Sequence, residues 1–173
     1  MTKVINFFAG PGTGKSTTAA GLFHRMKMDG ENVELVTEYA KDMVWEGRHS
    51  VLDDQIYLFA KQNRRIVRLI DKVDYIITDS PLLMGIAYMG GQGGDCLLKN
   101  LVKHTFEQHD NINFFLERDP SRHTGVGRMQ TLEESIEKDK IILSLLQEYP
   151  HYHVTAKGDP HTLNQVCGVL KHV

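Results

Sequence analysis

A glycine-rich segment near the N-terminus constrains this chain more than any other feature. Residues 9–17 read Ala-Gly-Pro-Gly-Thr-Gly-Lys-Ser-Thr, between the apolar run Val4–Phe8 and a helix-compatible segment that reaches Met28. A strand, a glycine-rich turn and Lys-Ser at a helix start form the arrangement in which backbone N–H groups surround phosphates. The alternative is a glycine-rich turn without a ligand, but the flanking strand and helix favour a phosphate-binding loop (P-loop).

This motif gives each residue an expected role toward a nucleoside triphosphate. Lys15 would reach the β- and γ-phosphates, Ser16 would hold Mg²⁺ and Thr17 would contact a neighbouring phosphate. Ala9 replaces the first glycine of the strict pattern, and a small residue there should do little harm. The predicted nucleotide-binding residues of the loop are Gly10, Pro11, Gly12, Thr13, Gly14, Lys15, Ser16 and Thr17.

Size and composition narrow the class of protein. A chain of 173 residues with 41% apolar and 24% charged residues is typical of one soluble globular domain, here residues 1–173. No apolar run approaches the roughly 20 residues of a membrane span, so we expect a cytoplasmic protein with no membrane partner. The net charge of −2 gives no overall attraction to polyanions.

Short apolar runs alternate with helical patterns along the chain. Because the runs are nearly continuous rather than alternating with polar residues, we expect strands covered on both faces, as in a parallel sheet. This pattern predicts a doubly wound, mostly parallel five-stranded α/β sheet of the P-loop class, with its ligand at the carboxyl edge of the strands. The predicted strands are Val4–Phe8, Asn32–Thr37, Asp74–Thr78, Ile112–Leu116 and Tyr152–Thr155.

Two helices have recognisable start signals. Residues 53–70 carry apolar residues at helical spacing, with Ser50 or Asp53 available as the N-cap. Thr131 and Glu134 form a capping-box pair before a helix predicted to reach Glu148.

Two carboxylates end predicted strands on the ligand side of the sheet. Asp79 follows the third strand, where an acid that organises Mg²⁺ belongs; alternatively, the Asp-Ser-Pro sequence is a turn that caps the next helix. Glu38 follows the second strand and could accept the proton of a substrate hydroxyl. The alternative for Glu38 is a helix-start glutamate favoured by the helix dipole.

The segment at about 118–130 carries three arginines and glycines that permit hinging. We expect it to fold over the triphosphate as a lid, with Arg128 as the transition-state cation and Arg118 and Arg122 assisting on the nucleotide. The alternative is an exposed basic loop.

Two histidines, His151 and His153, flank Tyr152 at a spacing that metal ligands use. No third ligand is visible nearby in the sequence, so surface histidines are the favoured interpretation.

Four segments resemble a known group of enzymes: residues 37–41 (Thr-Glu-Tyr-Ala-Lys), 54–62, 77–81 (Ile-Thr-Asp-Ser-Pro) and 127–134 (Gly-Arg-Met-Gln-Thr-Leu-Glu-Glu). Together they resemble P-loop kinases allied to the nicotinamide riboside kinase domain and to thymidylate kinases. Within that group the chain is most similar to phage kinases that act on 5-hydroxymethyl-deoxyuridine in DNA.

The resemblance implies that Lys15 and Ser16 bind ATP and Mg²⁺, that Asp79 is the second acidic position, that Glu38 lies at the acceptor site and that Arg128 is the lid arginine. It implies phosphorylation of the hydroxymethyl group in phage DNA, a step of thymidine hypermodification in the host cytoplasm. The helix-face arginines Arg64, Arg65 and Arg68 could then hold the DNA backbone.

Other functions remain open at this point. The acceptor could be a free nucleoside, a deoxynucleoside monophosphate or nicotinamide riboside, which the near-neutral charge favours. The chain could instead be an NTPase switch or a regulatory nucleotide-binding module, although the arginine-bearing lid argues against it. The oligomeric state is open, a homodimer included.

Overall fold

The computed structural model of the chain describes residues 1–89, 96–119, 131–156 and 160–173. In this part of the chain the strands are β1 (Lys3–Phe8), β2 (Val33–Val36), β3 (Tyr75–Thr78), β4 (Asp110–Arg118) and β5 (Tyr152–Ala156). The α-helices are α1 (Lys15–Met28), α2 (Tyr39–Trp45), α3 (Gln55–Val67), α4 (Cys96–Glu107), α5 (Leu132–Leu146) and α6 (Pro160–Leu170). Two 3₁₀ segments cover His49–Asp53 and Leu82–Tyr88.

The strands form one sheet in the order β2-β3-β1-β4-β5, and every neighbouring pair is parallel. This confirms the predicted doubly wound fold. Because β1 lies at the centre, the loops that follow β3, β1 and β4 are neighbours at the carboxyl edge of the sheet. The P-loop follows β1 and therefore lies in the middle of that edge.

The core lies on both faces of the sheet, as the near-continuous apolar strands predict. On one face Phe8 of β1 belongs to a buried cluster with Ile142 of α5. On the other face Phe7 shares a cluster with Leu22 of α1 and Val166 of α6. Adjacent residues of β1 thus anchor different helices, which fixes α1 and α5 on opposite sides of the P-loop.

The start of α3 differs from the prediction. Asp54 is the N-cap, and its side chain accepts the N–H of Tyr57 at 2.9 Å. The expected caps, Ser50 and Asp53, lie in the 3₁₀ segment before the helix. The end also differs, because α3 stops at Val67 and not at Ile70.

The predicted capping box of α5 is present. Thr131 accepts the Glu134 N–H at 3.2 Å, and the Glu134 carboxylate accepts the Thr131 N–H at 2.8 Å. These bonds satisfy two otherwise unpaired donors of the first turn and fix where α5 begins. The helix ends at Leu146, two residues before the predicted Glu148.

In the part of the chain that the structure describes, no helix combines the length and the apolar character that crossing a bilayer requires.

Candidate active site

The P-loop closes on itself at the carboxyl end of β1. Gly14 has a φ of 98°, in the left-handed region that favours glycine, and α1 begins at the next residue. The Lys15 ammonium donates to the carbonyls of Ala9 at 2.9 Å and Gly10 at 3.1 Å. Thr13 also donates its hydroxyl to the Gly10 carbonyl, at 3.1 Å. The loop is therefore already curved around the lysine.

A buried ion pair holds the first turn of this loop. Asp139 of α5 accepts the Gly10 N–H at 2.5 Å and the Arg118 Nε–H at 2.7 Å. Arg118 also donates to the Pro11 carbonyl at 2.8 Å. Only 7% of the Arg118 side chain and 14% of the Asp139 side chain are exposed. We call these four residues the P-loop brace; charge-assisted bonds in a buried setting make it stiff.

Gly10 also allows α5 to approach closely. A Cβ at this position would lie 2.6 Å from the Ser135 carbonyl oxygen and 2.8 Å from an Asp139 carboxylate oxygen. Since the first of these atoms belongs to the helix backbone, it cannot rotate away. A glycine is needed here so that α5 can rest against the loop.

Asp79 follows β3, beside the P-loop, and is 4% exposed. One carboxylate oxygen, Oδ1, is buried and has no hydrogen-bond partner among the described residues. The turn alternative is not supported, because the next 3₁₀ segment has Pro81 at its N-cap and no side-chain capping bond. A buried carboxylate oxygen without a partner fits a cation ligand, since an oxygen ligand is what Mg²⁺ requires.

Glu38 is half-buried at the end of the loop after β2, and its charge interacts with those of Lys15 and Asp79. Burial raises the pKa of Glu38 above its ordinary 4.5, an effect that Asp79 reinforces and Lys15 opposes. Glu38 is also the N-cap of α2, which agrees with the alternative that it is a helix-start glutamate. Its side chain, however, makes no capping bond. Its carboxylate is therefore not used by the helix.

The same environment shifts the pKa of Lys15 in the opposite direction. Burial lowers the pKa of Lys15 from its ordinary 10.5, while the carboxylates of Glu38, Asp79 and Asp139 raise it again. Without a polyanion nearby, the burial of the ammonium dominates. Bound phosphates would add negative charge beside Lys15 and favour its protonated form.

Two residues of α3 hold the loop that carries Glu38, which we call the acceptor loop (Thr37–Tyr39). The Gln62 side chain accepts the Tyr39 N–H at 2.9 Å and donates to the Thr37 carbonyl at 3.4 Å, one bond on each side of Glu38. Arg65 donates to the same Thr37 carbonyl at 3.1 Å and forms an ion pair with Asp42. Gln62 is 6% exposed, so this support is largely shielded from water.

Tyr88, at the end of the second 3₁₀ segment, interacts electrostatically with Glu38 and Asp139. Burial, with further contributions from Glu38 and Asp139, raises the pKa of Tyr88 to about 12. The Lys138 ammonium lies 4.8 Å from the centre of the Tyr88 ring and donates to the Ala87 carbonyl at 2.7 Å. The residue as a whole is 39% exposed, so part of it faces solvent.

The structure thus brings Lys15, Glu38 and Asp79 together, whereas Ser16 and Thr17 are exposed at the start of α1. Arg118 is embedded in the P-loop brace, and its contact with a nucleotide stays a prediction. Two of the predicted lid arginines, Arg122 and Arg128, lie outside the described residues, as does most of the segment at 118–130.

The sequence patterns assign no role to Asp139 or Tyr88, and Gln62 enters only as the last residue of the resembling segment 54–62. A signal for Asp139 exists, because it shares a helical face with the buried residues Ser135 and Ile142. An acid on the apolar face of a helix must have a partner. Nothing comparable marks Gln62 or Tyr88, whose contacts depend on how α3 and the second 3₁₀ segment pack.

A comparison with protein families matches residues 4–162 to the AAA domain family AAA_28. The chain belongs to this family. The match spans the P-loop, both carboxylates and the P-loop brace, so this AAA domain is the unit that carries the candidate site. No curated protein matches the chain in sequence.

Three solved structures share the fold of this AAA domain. One is a deoxyadenosine kinase from M. mycoides with the products dCMP and dCDP, which is 16% identical with a TM-score of 0.62 and aligns over 98% of this chain and 100% of that one. Another is a thymidylate kinase from Ehrlichia chaffeensis, at 18% identity, a TM-score of 0.64 and the same coverages. The third is NadR in complex with NR, at 15% identity and a TM-score of 0.77, covering 99% of this chain but 51% of that protein. At these identities the likeness establishes the fold.

Proposed function

We propose that this protein is a kinase that transfers the γ-phosphoryl group of ATP to the hydroxyl of a nucleoside-type acceptor. One observation carries the proposal: two of the carboxylates that interact with the P-loop lysine Lys15 are not used by the fold, since Asp79 has a buried oxygen without a partner among the described residues and Glu38 makes no capping bond. Phosphoryl transfer needs a phosphate cradle, a metal and a carboxylate near the attacking hydroxyl. These three residues supply one part each.

On the donor side, the amides of residues 12–17 and the Lys15 ammonium would bind the β- and γ-phosphates. The P-loop brace supports this role, because it holds the first turn of the loop before any nucleotide arrives. A cradle that is already in position loses little entropy on binding and stabilises charge in the transition state without reorganisation.

The same site would hold Mg²⁺ through Ser16 and Asp79. The unpartnered, buried Asp79 oxygen supports this assignment. When bound, Mg²⁺ neutralises charge that develops on the transferred phosphoryl group.

On the acceptor side, Glu38 is the proposed general base. Its raised pKa brings its proton affinity closer to neutral pH, where a base is more effective in transition-state proton transfer. Tyr88 is partly exposed and interacts electrostatically with Glu38, and its aromatic ring would suit contact with a flat nucleobase. The names of two relatives of similar fold, deoxyadenosine kinase and thymidylate kinase, agree with an acceptor of this class.

The specific acceptor that we propose is the hydroxymethyl group of 5-hydroxymethyl-deoxyuridine in phage DNA. This part rests on the resemblance of four sequence segments. In duplex DNA the base would have to leave the stack to reach Glu38. Of the arginines expected to hold the DNA backbone, Arg64 and Arg68 are exposed, whereas Arg65 already supports the acceptor loop.

A free nucleoside, a deoxynucleoside monophosphate or nicotinamide riboside is the second candidate acceptor. The net charge of −2 favours it, because a DNA-binding surface gains from positive charge. Incubation with γ-labelled ATP and a panel of acceptors, hydroxymethylated DNA included, separates the two. Label in the DNA supports the specific proposal, and label in a small molecule alone replaces it with the second candidate.

A regulatory NTPase is the remaining alternative. It would release labelled inorganic phosphate without labelling any acceptor in the panel. That outcome would overturn the kinase proposal while leaving nucleotide binding intact.

A further inference from the structure

Two histidines at the edge strand β5 converge on one point. His151 and His153 flank Tyr152, and alternate residues of an extended chain point to the same side. Their Nε2 atoms are 3.3 Å apart, and their ring centres are 5.1 Å apart. His153 lies opposite Phe115 of β4. Glu117 is two residues after Phe115 on the same strand.

The other nitrogen of each ring is held by an oxygen that can only accept. His151 Nδ1 lies 2.9 Å from the Tyr149 carbonyl oxygen, and His153 Nδ1 lies 2.7 Å from a Glu117 carboxylate oxygen. Both Nδ1 atoms must therefore carry the proton. In the neutral rings both Nε2 atoms then present lone pairs, which face each other at 3.3 Å.

Two lone pairs at this distance repel each other unless a proton, which would make one ring a donor to the other, or a metal cation lies between them. The separation is the one that a tetrahedral metal imposes: Zn–N bonds of about 2.0–2.1 Å place two ligand nitrogens about 3.3–3.4 Å apart. We propose that His151 and His153 bind a divalent transition metal, zinc in the first instance, through their Nε2 atoms. The site lies on β5 and the end of β4, where Glu117 is next to Arg118 of the P-loop brace, and its argument does not rest on the proposed kinase activity.

Glu117 strengthens the proposal. Metal-binding histidines commonly donate their second N–H to a carboxylate or a backbone carbonyl, which fixes the tautomer and the ring orientation. Here each ring has one such acceptor, Glu117 for His153 and the Tyr149 carbonyl for His151. The two acceptors that would orient the histidine rings are thus already in place in the protein alone.

Water would complete the coordination sphere. Among the described residues, no group of three or more histidine, cysteine or acidic side chains is placed to hold a metal. His153 is 45% exposed as a side chain, so solvent reaches the site. Two protein ligands and an open face predict a metal that exchanges, unlike the closed four-ligand zinc sites that support folding.

Calorimetric titration of the tag-free full-length chain with zinc chloride at neutral pH tests the proposal. We expect one zinc ion per chain, and we expect this binding to be lost in both His151→Gln and His153→Gln. The matched control is His24→Gln, an exposed histidine on α1, which should bind as the parent protein does. Circular dichroism of each variant checks that the fold is kept.

Glu117→Gln provides a second test that leaves both ligands in place. Losing the carboxylate that orients His153 should weaken zinc binding by roughly 10–100-fold. The proposal is overturned if the parent protein gives no heat of binding, or if zinc binds equally well to His151→Gln and His153→Gln.

Discussion

The two sides of the candidate site are supported by ion pairs that differ in exposure. On the donor side, Arg118 and Asp139 are 7% and 14% exposed, and both bond to the P-loop backbone. On the acceptor side, the supporting pair of Arg65 and Asp42 is 24% and 44% exposed. A buried pair holds one geometry, whereas an exposed pair contributes little and can reform as the loop moves.

This difference suggests that the donor side is built to be rigid and the acceptor side to move. In the proposed kinase the donor side would meet the same triphosphate in every cycle, so a stiff loop would be an advantage. The acceptor side would have to admit a substrate and release a product, and a loop held in part by a more exposed ion pair would permit both. Substitutions should therefore affect ATP binding and protein stability on one side, and turnover on the other.

Removing the P-loop cation should have the largest effect. Lys15→Ala deletes the positive charge next to the phosphates, and transfer should fall on the order of 10³-fold or more, as for other cations that act on this transition state. Single-turnover assays with labelled ATP measure the loss. Lys27→Ala is the control, because Lys27 is on the same helix but pairs with Glu34 in solvent; an unchanged rate in Lys15→Ala would remove the basis of the donor side.

Glu38→Gln keeps the size of the side chain and removes its ability to take a proton. Transfer should slow by roughly 10²–10⁴-fold if Glu38 is the general base, while ATP binding measured by calorimetry stays the same. A parent-like rate would contradict the role of Glu38 as the base and leave it as a helix-start residue.

The pH profile sharpens this test. Because burial raises the pKa of Glu38, the carboxylate is protonated at a higher pH than 4.5, and a protonated base cannot accept a proton. The rate should therefore fall as the pH drops through that raised pKa, on the acid side of the profile. Glu38→Gln should lack this acid limb.

Breaking the P-loop brace should lower stability more than chemistry. Asp139→Ala leaves the Arg118 charge buried without its partner, and we expect a loss of about 3–5 kcal/mol in the free energy of unfolding. Denaturant titration measures it, and added MgATP should recover part of it. Glu137→Ala on the same helix is the control, since the side chain is 63% exposed and pairs with Lys140 on the helix surface; equal losses in both variants would contradict the brace.

The smallest expected effect concerns the support of the acceptor loop. Gln62→Leu removes both bonds that flank Glu38, and turnover should fall about tenfold, or about 1.4 kcal/mol, with the KM for ATP unchanged. Gln55→Leu, at the start of the same helix, is the matched control. A raised KM for ATP in Gln62→Leu would mean that the two sides are not separate.

The sequence was sufficient for the parts of the fold that local physics determines. Continuous apolar runs predicted the strands, because a strand covered on both faces needs no polar alternation. The Thr131–Glu134 pair predicted the start of α5, because the capping bonds join residues three apart. The glycine-rich turn before Lys15 predicted the loop between β1 and α1, because that loop is also formed by residues close together in sequence.

Contacts between distant elements could not be predicted in this way. Asp139 meets Gly10 across 129 residues, and Gln62 meets Tyr39 across 23 residues that include α2 and the first 3₁₀ segment. These partners depend on which helix covers which face of the sheet. Asp54 replaced the expected caps of α3 because the preceding residues form a 3₁₀ turn that ends one residue before it.

Gly10 and the Ser135 carbonyl meet with no side chain between them, and this has a practical consequence for redesign. A side chain at position 10 would clash with the Ser135 carbonyl oxygen and disturb the contact between the P-loop and α5, the helix that also carries Lys138. Attempts to evolve a new substrate range should therefore randomise α2 and α3 and leave the contact between Gly10 and α5 untouched.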